Sequence, residues 1–218
     1  MKHSDHSLTW LTCLPEPVPA QAASPLDAAR HEIRQAFAAL GVDAPVVLRH
    51  DPSLGEGFCL TREGAGYALA GGDTGVLYGA YRLIMALKAG ENPPFGTHAP
   101  RYALRMLNCW DNAEGTIERG YSGRSLFFED GRFAYEPERM HQLARMLASV
   151  GLNVICINNV NVHDPAHKLI EEEWLPQVSD LAVIFRLYGV RLMLSIDYAH
   201  PMRCGMDTAD PLDPRVAA

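Results

Sequence analysis

Apolar side chains in the first ninety residues follow a helical spacing twice, once near each end of that stretch. The first helix is predicted to start at Ser24, because serine caps helices well and the proline after it fits the first helical position, and to end at Gly41. The second is predicted to be capped by Asp73 or Thr74 and to end at Gly90. These two helices frame the amino-terminal part of the chain.

Between the two helices the apolar residues form short runs instead. These runs predict three strands, and the small polar turn between the last two is typical of a hairpin. Helix, three strands and helix together predict a small α+β domain over residues 24–92, after an amino-terminal extension at 1–23. The predicted strands are residues 46–48, 57–61 and 67–70.

The pattern of predicted elements changes after a proline-rich linker at residues 90–100. Strands and helices now alternate, and the second strand is almost entirely apolar, as expected for a strand buried on both faces of a parallel sheet. The order β-α-β-α-β over residues 101–218 fits either an open parallel sheet or the first part of a (β/α)8 barrel. The strands are predicted at 102–107, 154–157 and 190–196, with helices from Pro137 and from about Pro176.

Each of these three strands runs into a polar cluster, at residues 108–112, 158–161 and 197–201. Ligands bind at the carboxyl ends of strands in such folds, so Trp110, Asp111 and Asn159 are predicted ligand contacts. An indole beside amides and carboxylates is typical of sugar sites, where the aromatic face covers C–H groups and the polar groups reach hydroxyls. The alternatives are that the polar residues form turns and caps, and that the tryptophan is a buried core residue.

Charge and composition restrict the partners, location and cofactors that are expected for this chain. The net charge of −7, with scattered basic residues, argues against nucleic-acid and anionic-membrane partners, and no apolar run is long enough to span a bilayer. The start of the chain does not resemble a signal peptide, which predicts a cytoplasmic protein. Five cysteines without close pairs predict free thiols, and neither a metal nor another cofactor is expected. The acidic run at 171–173 is interpreted as a solvated helix cap.

Two motifs carry a resemblance to a known family. The stretch 105–112, Arg-Met-Leu-Asn-Cys-Trp-Asp-Asn, and its continuation through residue 128 closely resemble the first barrel strand and loop of family 67 glycoside hydrolases. Residues 151–161 and 188–195 resemble the second and third strands of that barrel, and residues 73–80 resemble the last helix of the small domain before it. The resemblance therefore implies an α/β chain: a small α+β domain followed by the first three βα units of a TIM barrel.

The resemblance also implies an activity and a site. Such enzymes are α-glucuronidases, which remove α-1,2-linked (4-O-methyl-)glucuronic acid from xylooligosaccharides with inversion. Trp110 would pack against the uronic acid and Val160 would shape the space near its 4-substituent. No residue here matches the catalytic acid or base, and that includes Asp111. We therefore expect this chain to be inactive alone and to need the remaining carboxyl-terminal part of the barrel as a partner for a closed fold.

Two alternatives stay open at this point. One is another TIM-barrel glycosidase with the same layout, such as a β-hexosaminidase relative, which would carry an Asp-Glu pair at the end of a later strand. The other is a truncated, non-catalytic chain that acts as a carbohydrate-binding or assembly module.

Overall fold

The computed structural model describes residues 23–158, 166–195 and 198–216, and it divides into two compact units. Each unit consists of segments that are distant in sequence. The first unit is Met1–Met106, Glu136–Val154 and Ala182–Arg191, and the second is Leu107–Tyr135, Ile155–Leu181 and Leu192–Ala218. The predicted division into domains at 24–92 and 101–218 stays a prediction.

A four-stranded sheet and two long helices form the amino-terminal part of the first unit. The sheet has the order β1-β3-β2-β4; β1 runs parallel to β3, and the other two pairs are antiparallel. The three predicted strands and the hairpin are confirmed, whereas β4 lies in the predicted linker. The elements are α1 (Pro25–Leu40), β1 (Val46–His50), a 3-10 turn (Pro52–Leu54), β2 (Phe58–Glu63), β3 (Gly66–Gly71), α2 (Asp73–Ala89) and β4 (Gly96–His98).

The ends of these helices show which capping predictions hold. The Ser24 side chain accepts a hydrogen bond from the backbone N–H of Asp27, and Gly41 closes α1 in the left-handed conformation, so both predicted ends of α1 are confirmed. The predicted cap of α2 is wrong. Asp73 is already helical, and the capping position is held by Gly72, which has no side chain to accept a hydrogen bond.

The remaining elements alternate as predicted, although the strands are shorter. They are β5 (Met106–Asn108), β6 (Phe128–Glu129), β7 (Arg132–Phe133), α3 (Pro137–Ser149), β8 (Val154–Cys156), a 3-10 turn (Ala166–Ile170), α4 (Leu175–Leu187), β9 (Arg191–Met193) and α5 (His200–Arg203). Strands β5, β8 and β9 form a three-stranded sheet in that order, and β6 and β7 form a separate hairpin.

Backbone hydrogen bonds show that the three-stranded sheet is parallel. The carbonyl of Arg105 accepts from the N–H of Asn153 at 3.0 Å, and further along the same pair of strands the N–H of Cys109 donates to the carbonyl of Cys156 at 2.8 Å. Both residue numbers rise together, so β5 and β8 run in the same direction. The N–H of Arg191 donates to the carbonyl of Asn153 at 2.9 Å, and further along the N–H of Ser195 donates to the side-chain oxygen of Asn158 at 2.8 Å. Both residue numbers again rise together, so β9 runs parallel to β8.

Side chains tie together the amino ends of these strands within the first unit. The guanidinium of Arg105 donates to the carboxylate of Glu56 at 2.6 Å and to the hydroxyl of Tyr78 at 3.3 Å. The amide of Asn153 accepts from the backbone N–H of Arg105 at 2.9 Å and donates to the carbonyl of Ala103 at 2.8 Å and to both Glu56 oxygens at 3.1 Å. These bonds hold the backbone of residues 102–105 beside the start of β8, and β5 itself begins at Met106, four residues later than predicted.

The core of the first unit is largely aliphatic. Helix α2 buries nearly every residue of its first three turns, so it packs on several sides instead of presenting one apolar stripe. One ion pair lies inside this apolar core: Glu32 of α1 and Arg145 of α3 are both buried and joined by two hydrogen bonds, of 2.7 and 3.0 Å. The largest fully buried residues of the unit are Leu60, Leu69, Leu77, Tyr81, Leu83, Ile84, Met140, Leu147, Phe185 and Tyr188.

Candidate functional site

The carboxyl ends of β5, β8 and β9 meet in the second unit. Beyond the Cys109–Cys156 backbone bond, the side chain of Asn158 continues the β8–β9 ladder. Its amide nitrogen donates to the carbonyl of Ser195 at 3.0 Å, and its oxygen accepts from the N–H of Ser195 at 2.8 Å. The strand ends that carry the polar clusters are therefore neighbours, as the parallel arrangement predicts.

Trp110 lies just past the end of β5 and its side chain is partly open to solvent. It is 36% exposed in this chain, which favours a ligand-facing position over a buried core position. Its backbone carbonyl accepts a hydrogen bond of 2.7 Å from the N–H of Glu118, where the following loop turns back along the strand. The backbone of Trp110 is thus fixed by the loop, and part of its indole surface is open to a ligand.

Asp111 points into the loop and is only 7% exposed. Burial raises the pKa of its carboxyl group, and hydrogen bonds from the Ser125 hydroxyl and the Leu126 backbone N–H oppose that rise. Its backbone also forms an isolated antiparallel bridge with Ile117. The carboxylate therefore holds together two separate stretches of the long loop.

Asn112 is completely buried and organises the same loop from within. Its amide nitrogen donates to the hydroxyl of Thr116 at 2.8 Å and to the carbonyl of Glu118 at 2.7 Å, and its backbone N–H donates to the carbonyl of Thr116 at 2.9 Å. An amide can satisfy a donor and an acceptor in a tight turn where an aliphatic side chain could not. The hydrogen bonds of Asn112 thereby hold the turn between residues 112 and 118, where the loop folds back toward Trp110.

Cys109 precedes the tryptophan, and its chemistry is that of a neutral thiol. Burial raises its pKa to about 12, and the nearby Asp111 and Cys156 groups add to the shift. A thiol that ionises only in strongly basic solution is not a nucleophile near neutral pH. The site can therefore offer an aromatic surface and hydrogen-bonding groups, but Cys109 offers it no covalent chemistry.

Two predicted contacts, Asn159 and Val160, lie outside the described residues. In the ranges that the structure does describe, no group of three or more His, Cys, Asp or Glu side chains is placed to hold a metal ion. The helices of those same ranges include none with the length and apolarity needed to cross a membrane.

Sequence reasoning missed several residues that build the site. Ser125 holds Asp111 from fourteen positions away, and nothing in the local pattern marks it. The pairing of Asn158 with Ser195 was also not predicted, although Asn158 follows the buried strand β8. An aromatic cluster of Phe128, Phe133 and Trp174 was missed as well, since its members are far apart in sequence.

Comparison with known proteins shows the family of this chain. The profile of the glycosyl hydrolase family 67 middle domain matches residues 92–218. The chain belongs to glycosyl hydrolase family 67. The resemblance stated from the sequence is therefore confirmed, and the alternative of a β-hexosaminidase relative is set aside.

Relatives of this chain carry a consistent name. It is 36% identical over 192 residues to "Alpha-glucuronidase A" of Emericella nidulans, covering 84% of this chain and 22% of the relative. It is 40% identical over 167 residues to "Probable alpha-glucuronidase A" of Aspergillus niger, covering 75% of this chain and 19% of that protein. The chain thus spans about a fifth of the length of these relatives.

One solved structure adds a likeness of fold alone. A GH138 enzyme targeting pectin rhamnogalacturonan II matches 83% of this chain and 24% of its own length, with a TM-score of 0.54 and 18% sequence identity.

Proposed function

We propose that this chain is the amino-terminal part of an α-glucuronidase that hydrolyses α-1,2-linked (4-O-methyl-)glucuronic acid from xylooligosaccharides with inversion. In this proposal the chain supplies one wall of the uronic acid pocket. The observation that carries it is the partly exposed Trp110, held where the carboxyl ends of three parallel strands meet. The names of the relatives support the activity, and their greater length leaves room for the rest of the site.

Each predicted contact has a role in this pocket. We assign the indole of Trp110 to the C–H face of the sugar ring and Val160 to the space near its 4-substituent. Asn159 and Asp111 bond to hydroxyl groups. A carboxylate offers about four acceptor positions, so the two hydrogen bonds that Asp111 already accepts leave it able to accept from a ligand as well.

The bond-breaking groups are proposed to lie elsewhere in the enzyme. Inversion needs a carboxylic acid and a carboxylate roughly 6.5–9.5 Å apart on opposite sides of the glycosidic bond. Asp111 lies in a motif that the family resemblance does not assign to the acid or the base, and Cys109 is a neutral thiol, so neither is proposed for those roles. We therefore expect this chain to bind glucuronic acid without turning over a glucuronoxylooligosaccharide.

Calorimetric titration with glucuronic acid tests the pocket. We expect Trp110→Ala to weaken binding about two- to tenfold, because a stacking surface worth about 0.5–1.5 kcal/mol is lost. Tyr102→Ala is the matched control, since it removes an exposed aromatic residue from the other unit and should leave binding unchanged. Equal affinity of the Trp110 variant and the parent chain would remove the support for this site.

Incubation of the chain with an aldouronic oligosaccharide tests the second part of the proposal. No free glucuronic acid should appear. If the 218 residues release it, the assignment of the acid and base to other parts of the enzyme is wrong.

A further inference from the structure

A second cavity lies within the same unit as Trp110. It has a volume of about 240 Å³ and is bounded by the β6–β7 hairpin, the 3-10 turn and the start of α4. Pockets for drug-sized ligands usually exceed about 300 Å³, so this one suits a single small ring. The side chains that line it are Arg132, Phe133, Lys168, Glu171, Glu173, Trp174 and Gln177.

Aromatic rings form one wall of this cavity. Trp174 lies 5.2 Å from Phe133 and 6.2 Å from Phe128, measured between ring centroids, and the two phenylalanine rings are 4.9 Å apart. Phe128 and Trp174 are buried, whereas Phe133 is partly exposed at the cavity. Mutual packing fixes these rings, so the wall exists without a ligand and costs little to order on binding.

Polar groups of both kinds face the aromatic wall. Within the described part of the chain, the side chains of Arg132 and Lys168 have no hydrogen-bond or ion-pair partner. The terminal amide of Gln177 satisfies its neighbours when its nitrogen faces the carbonyls of Glu173 and Trp174, at 3.3 and 3.2 Å, and in that orientation its oxygen is an acceptor. The cavity thus combines unused donors with a positioned acceptor.

We propose that this cavity is a second carbohydrate subsite, and that it takes one neutral pyranose ring, a xylose unit of the oligosaccharide that carries the glucuronic acid. This inference rests on the proposed function. A neutral ring is favoured because two basic and two acidic side chains line the cavity and balance each other. Hydroxyl groups both donate and accept, which matches the mixed lining, and the apolar face of the ring would lie on Phe133 and Trp174.

Ser125 connects this cavity with the loop that carries Trp110. Its hydroxyl donates to Asp111, and its oxygen accepts from the backbone N–H groups of Phe127 and Phe128, both at 3.0 Å. Phe128 belongs to the aromatic wall. The same serine therefore positions both places, as expected if they hold different residues of one oligosaccharide.

Titration with xylotriose tests the subsite directly. In a chain that carries Trp10→Phe and Trp110→Phe, Trp174 is the remaining indole, so its fluorescence reports this cavity. We expect xylotriose to change that fluorescence saturably. Lys168→Ala and Gln177→Ala, placed in the same background, should each weaken xylotriose about tenfold, the effect of losing one hydrogen bond to a ligand. Lys88→Ala is the matched control and should titrate like its parent.

The outcomes separate this subsite from the uronic acid pocket. Unchanged Trp174 fluorescence, or equal xylotriose affinity in the Lys168, Gln177 and Lys88 variants, would overturn the subsite whether or not glucuronic acid binds. Saturable binding of xylotriose that depends on Lys168 and Gln177, together with no calorimetric signal for glucuronic acid in the parent chain, would support a sugar-binding cavity and count against the proposed pocket at Trp110.

Discussion

Replacing Arg145 by methionine would leave a carboxylate in the core of the first unit without its counter-ion. Glu32 is completely buried, and its two oxygens accept hydrogen bonds from Nε and Nη2 of Arg145 at 2.7 and 3.0 Å. The hydroxyl of Tyr81 supplies a further hydrogen bond at 3.1 Å. In the variant the tyrosine bond can persist, but both charge-assisted bonds are lost.

The expected cost follows from the burial of this pair. Breaking a buried ion pair by removing one partner costs about 3–5 kcal/mol, because the charge left behind is neither hydrated nor compensated. Since whole domains are stable by only about 5–15 kcal/mol, this change alone removes a large share of the stability. At roughly 2–4 °C per kcal/mol for a chain of this size, the Tm should fall by about 10 °C.

Urea denaturation followed by circular dichroism measures this effect, and two further variants sharpen it. Glu32→Met combined with Arg145→Met replaces the pair by apolar side chains of similar length, so it should recover at least half of the loss. Arg49→Met is the matched control. It breaks the Arg49–Glu63 pair, which has a similar 2.8 Å contact but is about half exposed, and should cost about 1 kcal/mol or less.

Two results would refute this reasoning. If Arg145→Met costs no more than Arg49→Met, burial does not decide the value of an ion pair in this unit. If the double variant is as unstable as Arg145→Met, the loss comes from packing of the arginine side chain and not from an uncompensated charge.

Two further predictions concern Asp111 and the glycines of α2. Burial raises the pKa of the Asp111 carboxyl group above its ordinary 3.8, so the folded chain binds the carboxyl proton more tightly than the unfolded chain does. The stabilisation from this proton is complete at pH values below the ordinary pKa and is lost as pH rises through the pKa of the folded chain. Asp111→Asn should therefore gain in unfolding free energy relative to the parent chain between about pH 3 and about pH 7, measured by urea denaturation at each pH, and a constant difference would contradict this. In Gly75→Ala the new Cβ would lie 2.0 Å from the carbonyl oxygen of Gly57, so the unfolding free energy should fall by about 2 kcal/mol or more. In Gly90→Ala the backbone is left-handed but the space is open, so the unfolding free energy should fall by about 1 kcal/mol. The reverse order of the two urea midpoints would rule out the steric explanation.

Elements with strong local signals were predictable from the sequence. The helix from Ser24 to Gly41 has both a capping side chain and a terminating glycine, and the β2–β3 hairpin has small residues at its turn. Strand β4 has no such signal. Gly96–His98 is short and exposed, and it forms because its backbone pairs with β2 and the ring of His98 stacks on Phe58 at 5.0 Å. Such a strand depends on tertiary contacts that a local pattern does not encode.

The same distinction applies to the candidate site. Trp110 and Asp111 could be selected because they directly follow a strand, and position along a strand is readable from the chain. The residues that hold Trp110 and Asp111 in place could not be selected from the sequence. Ser125 and Trp174 act through contacts with residues distant in sequence, and the acidic run before Trp174 is equally consistent with a solvated cap and with one side of a cavity.

The network around Arg105 has a consequence for how this scaffold can change. Its hydrogen bonds join Glu56, Asn153 and the backbone of residues 102–105 at the ends where β5 and β8 begin. The backbone carbonyl of Asn153 also accepts a hydrogen bond from Arg191, where β9 begins. Strand alignment is thus set at the amino ends of the strands, opposite the carboxyl ends that lead to Trp110 and Asn158. We expect substitutions in the described loop that follows Asn108 to leave the alignment of β5 with β8 unchanged, because the bonds that set it lie at the opposite ends of these strands.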